Sequence, residues 1–304
     1  MKNFLTMDDA WFLILHDLLQ GKRQDSRNGG TYEEIGFSFR LHQPSMNFVH
    51  APCRKLSPIY AAAELLWYLS GSNVGDMICH YAPQYKRFLD HSGYAYGGYG
   101  PRIMHQVGMT IDMLKKTPDT RQAVMSIWKP IDLQIAMSET CKDVPCTLSL
   151  QFLLREGRLN LVTTMRSNDA WLGLPYDVFC FTSLQSIIAA ELNSKIGTYI
   201  HNVGSMHLYD KDVEKFEKYE PYRGQDWQVE GSKFDQMMIA VEMEKYIRTG
   251  VMKPEKIRLA MNDAFKGEMN LASMTIALCS LQGREIQEWH SKYIPQQLLD
   301  MVRK

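Results

Sequence analysis

Residues 175–193, Pro-Tyr-Asp-Val-Phe-Cys-Phe-Thr-Ser-Leu-Gln-Ser-Ile-Ile-Ala-Ala-Glu-Leu-Asn, constrain the fold more than any other stretch of this chain. They read as one long helix that is buried rather than laid on a surface, and such a helix needs other layers to cover it. Strands are predicted just ahead of it, over 147–154 and 158–166. In the first, Leu148, Leu150, Phe152 and Leu154 face one way while Thr147, Ser149 and Gln151 face the other. Further strands are predicted over 121–128 and over 33–50, the latter after the turn-rich Arg27-Asn28-Gly29-Gly30. Thr6 opens a helix, with Asp9 three residues on and Gly21 at its end. Ser57 suits the cap of a second helix, Pro58 its first turn and Gly71 its stop. A third covers 105–116, and charged-faced helical periodicity covers 233–249, 254–265 and 284–302. The expected fold class is α+β, a mixed sheet packed with helices. Residues 1–210 would form the core, and 211–304 a mostly helical C-terminal extension packed on it within one domain overall.

Composition narrows the function. Lysine plus arginine number 34 and aspartate plus glutamate 34, so the chain has no overall basic field and is not expected to be a dedicated nucleic-acid binder. Six cysteines show no C-x-x-C pair and no metal-ligand spacing. Neither disulfides nor a bound metal are expected, and a reducing cytoplasm is the expected location, that of a host if the source is viral. The N-terminal stretch turns acidic at Asp8-Asp9 and shows neither the apolar run nor the small-residue cleavage site of a signal peptide, and no run of roughly 18 apolar residues could span a membrane.

Chemistry-bearing residues concentrate over 144–209. Cys146 follows Pro145 at a strand start. A thiol attacks only as thiolate, and Arg166 is a candidate to lower its pKa; taken alone, Cys146 reads equally as a small buried hydrophobe. Arg27, Arg121 and Arg166 sit at turns or strand ends, where guanidinium forks suit phosphate oxygens, though each singly also reads as a solvated charge. Asp169 and Asp177 flank Leu-Gly-Leu-Pro, and Asp177 also suits a helix N-terminus on electrostatic grounds alone. His207 and Tyr209 alternate along a strand and share one face, or simply line its polar edge. Glu64 lies in a helix that is apolar nearly all round, so a buried carboxylate there demands a partner or a task.

These segments, taken in order, resemble the thymidylate synthase superfamily, and most closely its deoxycytidylate hydroxymethylase branch. The resemblance covers roughly residues 8–210 and rests on Asp25-Ser-Arg27-Asn-Gly-Gly, Glu64-Leu-Leu-Trp67-Tyr-Leu-Ser-Gly, Tyr99-Gly, Pro118-Asp-Thr-Arg121, Pro145-Cys146, Arg166-Ser167-Asn-Asp169, Leu172-Gly-Leu-Pro-Tyr-Asp177 and His207-Leu-Tyr209. It implies a homodimer whose small-molecule ligands are a pyrimidine nucleotide and the cosubstrate 5,10-methylenetetrahydrofolate. Cys146 would add to C6 of the base. Arg27, Arg166 and Ser167 would hold the 5′-phosphate, with Arg121 reaching it from the partner subunit. His207 and Tyr209 would hold the sugar hydroxyl, Glu64 would organise water and move protons, and Tyr99 would help take the C5 proton. Asp169 would contact the pterin.

Three departures from the family pattern bear on the reaction. Asp177 stands where uracil-acting synthases have asparagine. An ionised carboxylate only accepts hydrogen bonds, which suits the N4 amine of cytosine and a protonated N3 but not O4 of uracil. Tyr85 stands where synthases place a tryptophan beside the folate, which fits water rather than hydride as the final trap. Leu298–Lys304 ends a helix where synthases have a small apolar tail that closes over folate. Two smaller changes are Thr147 for a histidine and Gln122 for a second arginine, with Arg54 or Lys55 as substitute cations or contacts to the folate tail. The resemblance thus implies 5-hydroxymethylation of dCMP. The alternatives are the same reaction on CMP, thymidylate synthesis from dUMP, and a catalytically silent nucleotide-binding protein.

Overall fold

The computed structural model of the protein describes residues 1–26, 29–138, 143–217 and 229–303. Seven strands make one mixed sheet: β1 (Lys2–Phe4), β2 (Lys22–Ser26), β3 (Gly29–Leu41), β4 (Val124–Ser126), β5 (Thr147–Arg155), β6 (Arg158–Asp169) and β7 (Lys195–Tyr209). Their order is β1-β3-β7-β6-β5-β4, with β2 also paired to β3. β6 and β7 run parallel because α6 (Leu174–Glu191) carries the chain back between them; their other neighbours are antiparallel. The α+β class expected from sequence is the observed one.

Local chemistry sets the helix ends. The Thr6 hydroxyl accepts from the Asp9 amide at the start of α1 (Met7–Leu19). The Ser57 hydroxyl accepts from the Tyr60 amide at 3.1 Å at the start of α2 (Pro58–Leu69), and Gly71 leaves that helix at φ +69°. The short α3 (Gly75–Tyr81) follows, then a 3₁₀ turn over Pro83–Phe88. The helix expected over 105–116 begins earlier, as α4 (Gly100–Lys116), because Tyr99 and Gly100 already carry its first turn. α5 (Pro130–Met137) is braced to α4 by a buried two-pronged ion pair, Arg102 to Asp132 at 2.7 and 2.9 Å.

Several boundaries differ from the sequence expectation. The strand read over 33–50 is β3, which begins at Gly29 and stops at Leu41. The strand read over 121–128 pairs only over Val124–Ser126. Along β5 the alternation fails at its start: the register shifts between Thr147 and Ser149, so Thr147 is fully buried and Leu148 only half-buried.

Beyond β7 the chain forms α7 (Asp210–Glu217), α8 (Phe234–Arg248), α9 (Pro254–Phe265), α10 (Leu271–Cys279) and α11 (Gln296–Val302). α8, α10 and α11 all pack against α2. The single helix expected over 284–302 is instead a 3₁₀ turn, Glu288–Lys292, and α11, with Pro295 at the cap between them. No helix among the described residues is long and apolar enough to cross a membrane.

Candidate active site

The candidate site lies where the start of β5, the ends of β6 and β7, and the N-terminus of α6 meet residues of α2 and the start of α4. Cys146 precedes β5, and its carbonyl accepts the Arg166 amide at 2.8 Å. The Arg166 guanidinium is held by the carbonyls of Pro145 at 2.9 Å and Val144 at 3.1 Å, over the Trp128 ring, with Nη2 at 3.5 Å from the Cys146 sulfur. Burial nevertheless pushes the thiol up to about 11; Arg166 lowers it, while Asp177, Asp143 and Asp169 raise it further. Arg166 does lower the thiol, as the sequence suggested, but the desolvation outweighs the adjacent cation.

Tyr99 precedes α4 with its phenol at the start of β5. The Thr147 amide and hydroxyl both donate to its oxygen, at 3.2 and 3.0 Å. Both lone pairs are thus occupied, and the phenol's own proton is left to donate. Burial, with Asp177 and Cys146 adding to it, holds the phenol well above its usual range. Tyr99 is therefore a poor isolated base for the C5 proton and is suited to act as a link that accepts one proton while passing on another.

Asp177 occupies the first turn of α6, its amide bonded to the Gly173 carbonyl at 2.9 Å. The Asn168 amide donates to Asp177 Oδ2 at 2.6 Å. Burial pushes Asp177 up to about 7, the Asn168 hydrogen bond lowers it and Asp169 raises it. Glu64, on α2, accepts from the Tyr60 hydroxyl at 2.9 Å and from the Cys180 thiol at 3.8 Å. Burial and then Asp177 push it up to about 8; its hydrogen bonds work the other way. Glu64 is thus a protonated acid at neutral pH with a reachable second state, which suits proton transfer.

The strand ends carry the remaining groups. The buried positions of β6 and β7 change parity at one level, after Met165 and after Val203. At Gly204 an added Cβ would meet the Arg166 carbonyl at 2.7 Å, so this close approach requires glycine. Beyond the change, Ser167 Oγ and His207 Nδ1 lie 3.4 Å apart, and the His207 and Tyr209 rings meet edge to face at 5.1 Å. Asp169 Oδ1 accepts the Trp171 and Leu172 amides at 2.8 and 2.9 Å, a capping duty that sequence did not assign to it. Arg54 donates to the carbonyls of Trp171 at 2.6 Å and Leu172 at 3.3 Å, and its guanidinium lies over the Tyr176 ring. Tyr85 packs edge-on to Trp67 at 5.4 Å, close enough for the charges of Glu64 and Asp177 to act on it. Arg121 is exposed beside β4, its carbonyl tied to Gln151 further along β5, away from the Cys146 cluster. Arg27 lies outside the described residues.

This arrangement brings together a half-buried thiol, two carboxylic acids and a phenol, beside a strand end that carries Arg166, Ser167 and His207. Residues 13–246 match the family described as thymidylate synthase.

The chain belongs to the thymidylate synthase family. It is also similar to a bifunctional dihydrofolate reductase-thymidylate synthase from Paramecium tetraurelia, 27% identical over an alignment of 239 residues that covers 68% of this chain and 50% of that protein. The chain thus spans about half the length of that relative. The family match runs past residue 210, into α8. Among the described residues no cluster of three or more His, Cys, Asp or Glu could hold a metal ion. Sequence reasoning missed Asn168, His201, Tyr60 and Cys180. Asn168 stood inside a quoted motif but signalled nothing, because its partners became visible only once the strands had been paired.

Proposed function

We propose that this thymidylate synthase family member is a one-carbon transferase that hydroxymethylates C5 of dCMP. The carbon would come from 5,10-methylenetetrahydrofolate and the oxygen from water, leaving tetrahydrofolate. The observation that carries this is the half-buried Asp177 carboxyl at the first turn of α6, near enough to the Cys146 thiol for its charge to act on it.

The folate supplies an electrophilic one-carbon unit at oxidation level of formaldehyde. Cys146 adds to C6 of the base, which makes C5 nucleophilic, and its sulfur leaves again once C5 is substituted. Asp177 accepts from N4–H and from N3–H as N3 gains basicity during the addition. Facing uracil, the ionised form would oppose O4, an unpaired acceptor, at a cost of about 1–3 kcal/mol or more. Glu64, through Tyr60 and nearby water, moves the protons, with Tyr99 donating and accepting in concert. Arg166 and Ser167 suit the 5′-phosphate, and His207 with Tyr209 suits the sugar. Arg27 belongs to that phosphate set by resemblance. Arg121, exposed beside β4, would complete it in a neighbouring copy of the chain within a homodimer. The folate side fits Asp169, with only Oδ1 committed to its turn, and the Arg54–Trp171–Tyr176 stack, joined by resemblance by Tyr85, which the Glu64 and Asp177 charges reach.

A second possibility, thymidylate synthesis from dUMP, is favoured by one specific observation. With Asp177 pushed up to about 7, its protonated form could donate to O4 much as asparagine does. Incubation with the folate and C5-tritiated dCMP, dUMP or CMP separates these. Preferential tritium release from dCMP is expected. Preferential release from dUMP, with dihydrofolate absorbance rising, would overturn the proposal in favour of the synthase reaction. Preferential release from CMP would move the substrate to the ribonucleotide.

A further inference from the structure

Behind Asp177 runs a buried chain of polar groups that the reaction does not touch. Tyr199 and His201, on β7, and Asn168, on β6, are each at most 4% exposed. Tyr199 Oη lies 2.6 Å from His201 Nδ1, His201 Nε2 lies 3.3 Å from Asn168 Oδ1, and Asn168 Nδ2 lies 2.6 Å from Asp177 Oδ2. Burial holds the His201 imidazole far down, to about 3, so it is neutral and carries one N–H.

These facts fix a direction. An ionised carboxylate only accepts, so Asn168 must turn its NH₂ to Asp177 and its carbonyl to His201. His201 must then carry its proton on Nε2, and its bare Nδ1 accepts from the Tyr199 hydroxyl. Each link in this order then pairs one donor with one acceptor. The opposite order also closes: a protonated Asp177 would donate to Asn168 Oδ1, the amide NH₂ to a bare His201 Nε2, and Nδ1–H to Tyr199. The state of Asp177 and the tautomer of a histidine behind it are therefore tied through one amide.

We propose that Asn168, His201 and Tyr199 are positioning residues that set base choice, by holding Asp177 as an acceptor facing the ring. This deepens the cytosine assignment and rests on it. The other groups facing Asp177 oppose its ionised form or are neutral: Glu64 and Tyr68 from α2, Asp169 from the end of β6, Cys146 before β5, Tyr99 before α4, Tyr85 from the 3₁₀ turn and Cys180 from α6 itself. Asn168 supplies the hydrogen bond that favours the ionised form.

The test compares wild type with Asn168→Ala, Tyr199→Phe and His201→Gln, in which the Gln amide can still donate where Nε2–H did. Two readouts are taken against pH: the ratio of C5 tritium release from dCMP to that from dUMP, and the ¹³C shift of the Asp177 carboxyl in the free protein, assigned by its loss in Asp177→Asn. Asn168→Ala is expected to move the carboxyl midpoint upward by about one unit and to cut the dCMP preference about tenfold at neutral pH. Tyr199→Phe, which preserves the ring packing and keeps the test open if Asn168→Ala does not fold, moves both in the same direction by less. His201→Gln keeps most of the preference. An unmoved carboxyl midpoint and an unchanged pH profile in folded Asn168→Ala or Tyr199→Phe would overturn the proposal. A wild type that prefers dUMP would instead overturn the cytosine assignment, with the carboxyl titration still reporting on the relay.

Discussion

Cys146 sits beside an arginine yet is held protonated by its surroundings, so reactivity has to be created rather than stored. Alkylation of Cys146 in the free protein is expected to be slow at neutral pH and to rise about tenfold per pH unit toward about 11. A plateau below pH 8 under iodoacetamide would contradict this. The acids give the opposite signature. Asp177 and Glu64 rise from 3.8 and 4.5 to about 7 and about 8 on folding. The native state therefore holds more protons than the unfolded chain between about pH 4 and pH 8, and their contribution to stability falls as pH rises through that window. Asp177→Asn removes one of these acids. It is expected to stabilise the fold at pH 8 by on the order of 2 kcal/mol more than at pH 5, read as a difference in urea midpoints. It should also raise turnover of dUMP relative to dCMP. An equal effect at both pH values would show that Asp177 is not a strained acid.

At the scale of elements, the site depends on two features that bring strand and helix ends together. One is the close pass of Gly204 over the Arg166 carbonyl. Gly204→Ala must displace that backbone, and with it the guanidinium beside Cys146; turnover should fall by at least about tenfold while the fold survives, measured as C5 tritium release beside a circular dichroism melt. Unchanged turnover would mean the approach is incidental. The other is the Arg102–Asp132 pair, which ties α4, carrying Tyr99 at its start, to α5. Arg102→Met leaves Asp132 buried without its cation and should cost about 3–5 kcal/mol in chemical denaturation, against less than about 1 kcal/mol for an exposed pair such as Arg303–Asp300.

What could be read from the sequence follows the same division. Caps with their own side-chain chemistry, Thr6 and Ser57-Pro58, were legible because the signal is local. α10 was missed because Leu271–Cys279 is buried on every side and so shows no amphipathic period. The inversion at Thr147 was invisible because a register shift depends on the facing strand. Within the site, Cys146, Arg166, Glu64, Tyr99 and Asp177 were legible through ordered motifs and do meet. Asn168 and His201 were not, because a buried polar pair is defined only by the β6–β7 register.

Across the whole molecule, part of the helical segment after residue 210 covers α2, the helix that carries Glu64. α8, α10 and α11 pack there, and Tyr81 on α3 donates to Glu244 on α8 at 2.9 Å, where Arg248 also binds. A chain cut after Asp210 is therefore expected to lose the support of Glu64 and to aggregate rather than fold, as judged by gel filtration and near-ultraviolet circular dichroism. A soluble, dCMP-binding fragment would show that the C-terminal helices are an accessory. The mass of the product made from dCMP and 5,10-methylenetetrahydrofolate tests the proposed hydroxymethylation most directly. A nucleotide gaining one carbon, two hydrogens and one oxygen, with tetrahydrofolate alongside, is predicted. A product gaining only a methyl group, or product formed from dUMP in preference to dCMP, would contradict it.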